Sequence, residues 1–538
     1  MVDAKKILNE YEKGKEYNSQ IGLYENVEKN ERFYIGNHWE GVETPPGIIK
    51  PVFNFIKRVV SYFIAMLVSD DIGINLDPFD DDANATIVAK IISKEIEKIL
   101  EKTKFRAKLR TNIRNCCVDG DTCVHATWDP TIDTKETYEG DISCEIIENT
   151  NILYGNPYSD DLQSQPYILI VQRLYVDLVK EQAKSKYKLD DSEIEKIASD
   201  SENQIGTDDN LTTVITKYFK KEGKVFYCKT CGEVVLQDET TTERTLYPIS
   251  YMNWETVKNS YHGQSPITGM IPNQIFINKI FAMAMVYITN NGFPKVLYDS
   301  AKIKKISNDV SESYKVSNLD IMGKIIDGAK APDFSAQVPQ IAEMVISYTR
   351  DCMGANDAAL GNVKADNTSA IIALQNASAV PLELQKLAYY DFIEDFVRVV
   401  IEMMAEHYGV RKVRVSKDDY MKLYQKEAQE LENLGITKEQ LPESYIIDFD
   451  FSKLKNLNFQ LNIDIGSSNY WSEVMQINTL DNLMAKGILS DAEVYLEMIP
   501  DKYVKNKEKI IQSIKEKKAQ MEAMNLQQTQ GDIPAQPM

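Results

Sequence analysis

AIIALQNASAVPLELQKLAYYDFIEDFVRVVIEMMAEHYG, residues 370–409, is the longest helical pattern in the chain. From 370 to about 408 at 1.5 Å per residue it would run roughly 58 Å, with a kink where Pro381 removes a hydrogen bond. Directly before it stands GNVKADNTSAI, residues 361–371, small and flexible with one lysine, Lys364. The residues ahead of that break, MGANDAAL, again read as helix. A flexible break between two helices in mid-chain costs packing and order, so it needs a reason.

Working outward, a helix at 340–358 precedes the break. Ahead of it lies a compact mixed insert with KVLYDS, IKKISND and IMGKIIDGAKAPDF. Another helix begins at about Ser265, with Pro266 and Pro272 both near helix starts, and stops at NNGFP, residues 290–294. Residues 1–70 read as helices around a loop holding Pro45 and Pro46. In 83–118, Ile87, Ile91, Ile92, Ile96, Ile99 and Leu100 recur at helical spacing, and a basic face follows at Lys104, Arg106, Lys108, Arg110 and Arg114. Period-two, β-branched stretches come next: TCVHATWDP, DISCEIIEN, YILIVQRLYV, TTVITKYFK, KVFYC and LYPISYMNW. Among them, the acidic run 190–210 reads as a helix end with a mobile surface loop. VRVS, YIIDFDF and FQLNIDIG are later strands. Helix returns from Trp471 to about 525, and LQQTQGDIPAQPM reads as disordered. No repeat at a fixed period is evident. The expected fold class is α+β, mainly helical.

The 538 residues are 43% hydrophobic and 26% charged, with a formal net charge of −20. Such acidity argues against a large basic surface gripping nucleic acid, though not against a surface that lets nucleic acid pass. The first residues lack the apolar core of a secretory leader. VVSYFIAMLV is too short to span a membrane, and IFINKIFAMAMVYI carries Asn278 and Lys279, so both read as buried helices. Seven scattered cysteines point to reduced thiols in a cytoplasmic setting.

Catalytic motifs are missing. There is no phosphate loop; GKIIDGAK, residues 323–330, places its lysine wrongly. The four histidines, His38, His125, His262 and His407, lie far apart, and no H-E-x-x-H occurs. Cys228 and Cys231 in YCKTCGE form a single C-x-x-C on an expected hairpin, half of a zinc ribbon with no second pair. Asp119 and Asp121 read as an acidic turn, and Asp80, Asp81 and Asp82 as carboxylates at a helix N-terminus. The lysines of 502–518 read as a solvated helix face. No cofactor, metal or enzymatic activity is expected.

The order of elements resembles the portal proteins of tailed double-stranded DNA bacteriophages. FYIGNHWEG with PVFNFIKRVVSYFIAMLV, VDGDTCVHATWDP, the 361–404 stretch and WSEVMQINTLDNLMAKGILSDAEVYLEMI carry the likeness. The resemblance implies a wing at 1–264, stem helices at 265–293 and 340–358, a clip at 294–339 and a channel loop at 359–369. It further implies a long kinked wing helix at 370–408, a wing β part at 409–470, a helical crown at 471–525 and a loose tail at 526–538.

It also implies a function: a ring of about twelve copies at one capsid vertex, through whose channel DNA is packaged and ejected. Asn362, Val363, Lys364, Ala365, Asp366 and Asn367 would then line the channel, with Lys364 facing phosphate. Lys302, Lys304 and Lys305 would face partners at the clip. Implied partners are further copies of the chain, double-stranded DNA without sequence preference, and the terminase large subunit. Major capsid, scaffolding and head–tail adaptor proteins complete the set, with no membrane. The place would be the virion, and the host cytoplasm during assembly. A baseplate or minor capsid protein, or less readily a DNA-processing enzyme, are the alternatives.

Overall fold

The computed structural model describes residues 2–44, 48–68, 72–78, 83–134, 138–200, 210–291, 296–298, 326–328, 337–353, 380–424, 442, 444–456, 459–465 and a few positions between 480 and 510. They belong to two compact units, residues 1–68 with 76–461 and residues 69–75 with 462–538. The tail at 526–538 and nearly all of 471–525 lie outside the described residues.

The first unit opens on helices α1 (Ala4–Gln20), α2 (Leu23–Ile35) and α3 (Phe55–Val68). Asp3 caps α1, its carboxylate accepting from the amides of Lys5 and Lys6, and Gly36 closes α2 in the left-handed conformation. After strand β1 (Ile72–Pro78), the 83–118 pattern resolves into two helices, α4 (Ala83–Lys102) and α5 (Phe105–Asp119), because Lys104 takes φ 51° and turns the chain between them. Strands β2 (Asp121–Asp133), β3 (Glu139–Ile147), β4 (Ile152–Tyr154) and β5 (Tyr167–Tyr175) follow, then helices α6 (Val176–Ser185) and α7 (Asp191–Ile194). Next come β6 (Leu211–Lys221), β7 (Lys224–Cys231), β8 (Val234–Thr241) and β9 (Ile249–Asn253).

One long helix, α8 (Pro266–Asn291), carries Pro272 in its second turn rather than at its start; the proline removes the amide that would bond the Thr268 carbonyl. The pair β10 (Val296–Tyr298) and β11 (Ile326–Gly328) precedes α9 (Gln337–Cys352). A 3₁₀ turn at Val380–Leu382 holds Pro381, and α10 (Glu383–His407) starts after it. The described part of the long helix therefore begins just beyond the proline, which is well placed in a helix's entry turn; 370–379 lie outside the described residues. Strand β12 (Val410–Ser416), helix α11 (Lys417–Leu423), and strands β13 (Ser444–Asp450) and β14 (Phe459–Ile465) complete the order. In the second unit the ends of β1 and β14 pair as a two-stranded ribbon.

Two sheets organise the β-rich region: β3-β2-β9 and β4-β5-β6-β7-β8. Alternation along β2 sends Cys123 and His125 to one face and Val124 and Ala126 to the other. Cys123 joins a core with Ile152, Ile168, Ile170, Tyr218 and Ile249, so this face meets the five-stranded sheet. The opposite face lies against α5 and α10, where Phe105 stacks on Phe396 at 4.1 Å and Ser250 Oγ donates to the Phe392 carbonyl. The far face of the five-stranded sheet is covered by α1, through Ile7 and Tyr11 against Leu153, Leu169 and Ile215. Near the C-terminal end of α10, Glu402 accepts from the amides of Thr245 and Leu246, both at 3.0 Å, and Glu406 accepts from Glu243 N. Two carboxylates one helical turn apart thereby hold the approach to β9.

Where α5 ends, Gly120 (φ +103°) passes so close to the chain entering α8 that a Cβ on it would sit 2.7 Å from the Gly263 carbonyl and 2.9 Å from Ser265 N. A Cβ on Gly263 would strike the Gly120 carbonyl. Gly120→Ala is therefore expected to destabilise by about 3 kcal/mol, combining left-handed strain with a backbone clash. Gly41→Ala, also at positive φ but with open space around it, should cost only about 1 kcal/mol. Denaturant melts of both variants give the comparison; equal losses would mean the close approach contributes nothing.

Candidate functional site

The stretch from Gly120 to α9 holds the most organised polar chemistry among the described residues. His262 Nδ1 donates to Asp121 Oδ2 at 2.8 Å, and the same oxygen accepts from Gly263 N at 3.0 Å. Nε2 of the ring lies 3.1 Å from Asn18 Oδ1, and Tyr261 OH also reaches that oxygen. Both partners of the pair are buried, so the imidazole and the Gly263 amide stand around the carboxylate in place of water. Sequence reading left these residues in separate categories, an acidic turn and a scattered histidine; they lie 141 positions apart. The available hint was the flanking glycine at each, Gly120 and Gly263.

Ser265 then caps α8: its Oγ donates to the Cys117 carbonyl at 2.7 Å and accepts from Ile267 N at 3.1 Å. Further along α8, two buried amides hold the loop before α3. Gln274 Nε2 donates to the Phe53 carbonyl at 2.8 Å and to Asn278 Oδ1 at 3.0 Å, while Gln274 Oε1 accepts from Phe55 N. Asn278 Nδ2 meets His38 Nδ1 at 2.8 Å, and His38 Nε2 meets the Phe33 carbonyl at 2.8 Å. A carbonyl can only accept, so Nε2 carries the proton and Nδ1 receives the amide's. Burial pushes the His38 pKa down, in keeping with this neutral ring. α8 is, among the described residues, the one helix long and apolar enough to cross a membrane by length and composition. The very amides that interrupt its apolar run bind α8 to α2 and to the loop before α3.

α8 packs beside α9, and Asn273 Nδ2 donates to Thr349 Oγ1 across the pair at 3.0 Å. Outward, the pair shows Phe276 and Met283 on α8, seven residues apart, and Ile341, Met344 and Tyr348 on α9, at three- and four-residue spacing. Met283, Met344 and Tyr348 are each more than half exposed. Each helix thus carries exposed apolar residues along one face.

The other expected site residues fall as follows. Asn362, Val363, Lys364, Ala365, Asp366 and Asn367 lie outside the described residues, as do Lys302, Lys304 and Lys305. Cys228 and Cys231 are three apart on β7, so they point to opposite faces. Cys228 sits in the core under α1, and Cys231 sits against α6, with Thr212 Oγ1 at 3.2 Å. They form no pair for one ion, which corrects the half-ribbon reading, and burial pushes the Cys228 thiol up to about 11. Among the described residues no group of three or more His, Cys, Asp or Glu is placed to hold a metal. The basic face of α5 is partly spent internally: Arg114 pairs with Glu31 and lies over the Tyr34 ring, and Lys108 donates to the Cys144 carbonyl.

Two buried groups titrate in opposite senses. Burial, then the charges of Lys229 and Arg244, push His125 down to about 3; burial, then the Asp121 charge, push Asp119 up to about 7. A histidine depressed on folding stabilises fully above its ordinary value of about 6.5 and loses that contribution as pH falls toward 3. A carboxyl raised on folding does the reverse, costing stability as pH rises from about 4 toward 7. Asp119→Asn should therefore leave a protein that weakens as pH drops from 7 to 4, and His125→Gln one that strengthens over the same range. Urea melts across that range check it; slopes of the same sign in both variants would contradict the assignment.

Residues 179–538 match the sequence model of the phage P22-like portal protein family. A comparison with curated proteins finds no match. Among solved structures, a chain of the virion of native gene transfer agent (GTA) particle is similar over 76% of this chain and 89% of that chain, at 10% identity and a TM-score of 0.36.

Proposed function

We propose that this chain, which belongs to the phage P22-like portal protein family, closes into a ring of about twelve copies at one vertex of a phage-type capsid. The family is structural and non-enzymatic. The ring encloses the channel through which double-stranded DNA enters during packaging and leaves at ejection. The family match carries this reading, and the α8–α9 pair supports it. The pair is anchored by the Ser265 cap and the Gln274–Asn278–His38 ladder. Its exposed apolar residues need a cover, and a neighbouring copy around the ring would supply one.

In this reading α8 and α9 are the stem, 294–339 the clip and 359–369 the channel loop. Lys364 meets passing phosphate, with Asn362 and Asn367 as neutral hydrogen-bonding groups. A net charge of −20 keeps the duplex from adhering while a few lysines lower the barrier. Lys302, Lys304 and Lys305 offer cations to the terminase large subunit or to head–tail adaptors. Capsid and scaffolding proteins receive the ring during assembly in the host cytoplasm.

Native mass spectrometry with negative-stain imaging tests the ring. Twelve copies of 61.3 kDa give about 736 kDa and a particle with a central hole. A protein that stays monomeric at high concentration and with scaffold present would overturn the reading. Met344→Lys and Tyr348→Lys, both at exposed positions, should change monomer stability by less than about 0.5 kcal/mol yet raise the concentration for half-assembly at least tenfold. Lys364→Glu is expected to slow DNA packaging without affecting ring mass; an unchanged packaging rate would remove Lys364 from the channel.

A further inference from the structure

Strands β12 and β13 form an antiparallel ribbon of their own, with Lys412 opposite Asp448 and Arg414 opposite Ile446. Alternation fixes its faces: Arg411, Val413, Val415 and Ile447 are buried, whereas Val410, Lys412, Arg414, Ile446 and Asp448 are exposed. Each strand thus carries one sign of charge outward, basic on β12 and acidic on β13, where Asp450 follows Asp448 at the strand end. Among the described residues neither edge of the ribbon has a strand beside it. Lys412, Arg414 and Asp448 make no ion pair among those residues. Val410 and Ile446 are 65% and 66% exposed, an apolar cost that covering the ribbon would relieve.

An unpaired edge is a template for another strand. Here the segregation of charge decides which one. Two β12 edges facing each other would oppose Lys412 and Arg414 to themselves, and two β13 edges would oppose acid to acid. Only β12 against the β13 of another copy brings unlike charges together. We infer that β12 of one copy pairs with β13 of a second copy, so that successive ribbons join into a continuous antiparallel belt. The inference rests on the ring reading above and adds a surface, a partner and a polarity. A β12–β13 contact is head-to-tail: it repeats around an axis and closes, whereas the excluded edge pairings would stop at a two-fold dimer.

The register follows from the side chains. An offset of two residues from the pairing inside one ribbon sets Arg414 opposite Asp448 and Lys412 opposite Asp450. The same offset keeps Val415 over Ile447 and Val413 over Phe449 on the inner face, because a shift of two preserves faces.

The test is made in the full chain with the exposed thiol removed by Cys352→Ser, the other six cysteines being buried. Arg414→Cys with Asp448→Cys should, under mild oxidation, give covalent multimers on a denaturing gel up to the full ring. Separately, Lys412→Glu/Arg414→Glu should raise the half-assembly concentration at least tenfold. Adding Asp448→Lys and Asp450→Lys to those changes, which reverses both strands in this register, should restore assembly; this separates a contact between copies from damage to the ribbon itself. A parent protein that forms rings by mass, with no cross-linked multimers and no response to charge reversal, overturns the belt and leaves the ring reading standing. A parent that forms no ring overturns both.

Discussion

Everything in the first unit turns on one close approach. The backbone leaving α5 at Gly120 and the backbone entering α8 at Gly263 lie within contact distance, with no Cβ between them. The buried Asp121–His262 pair sits on the same spot, and Asp121 also takes the Gly263 amide. Removing a charge from water costs several kcal/mol, so the carboxylate is tolerable only with these partners in place. The strand β2 and the helix α8 both begin here. Their directions are therefore set together, and through them the sheets and the α8–α9 pair.

From that point outward, polar side chains do the aligning and apolar ones the filling. α8 is apolar enough to slide against its neighbours, since dispersion contacts have little directional preference. Gln274 and Asn278 remove that freedom by bonding fixed backbone groups near α3 and the neutral His38 ring. Glu402 and Glu406 do the same for α10 by capturing amides of the chain before β9. Directional contacts near the start of α8 thus give way to exposed apolar side chains, Phe276 and Met283, further along it. In the ribbon β12–β13 the outward charge is segregated by strand, Lys412 and Arg414 on one and Asp448 on the other.

Much of the fold was legible in the sequence. Strands β2, β3, β5, β6, β7, β9, β12, β13 and β14 coincide with the β-branched runs; β12 alternates as a half-buried strand must, while β2, β5 and β6 are buried on both faces over part of their length. The short β4, the half-polar β8 and β1 were not foreseen; β4 is buried but only three residues long, and β8 turns polar along its second half. The long helix was read through Pro381, although its described part begins after that proline, and the 83–118 helical run concealed a turn at Lys104. The Cys228–Cys231 spacing suggested a metal until the strand's alternation sent the thiols apart.

By itself the sequence determined the class of the molecule: an acidic α+β chain with three helices in its centre. Periodicity and element order are properties of near neighbours along the chain, and one sequence displays them. Tertiary structure alone decided that Asp121 meets His262, that Gln274 and Asn278 serve as anchors, and that Lys412 and Asp448 present opposite charges on one exposed face. Those pairings join residues tens to hundreds of positions apart. Their partners are chosen by packing and burial, which no local pattern encodes.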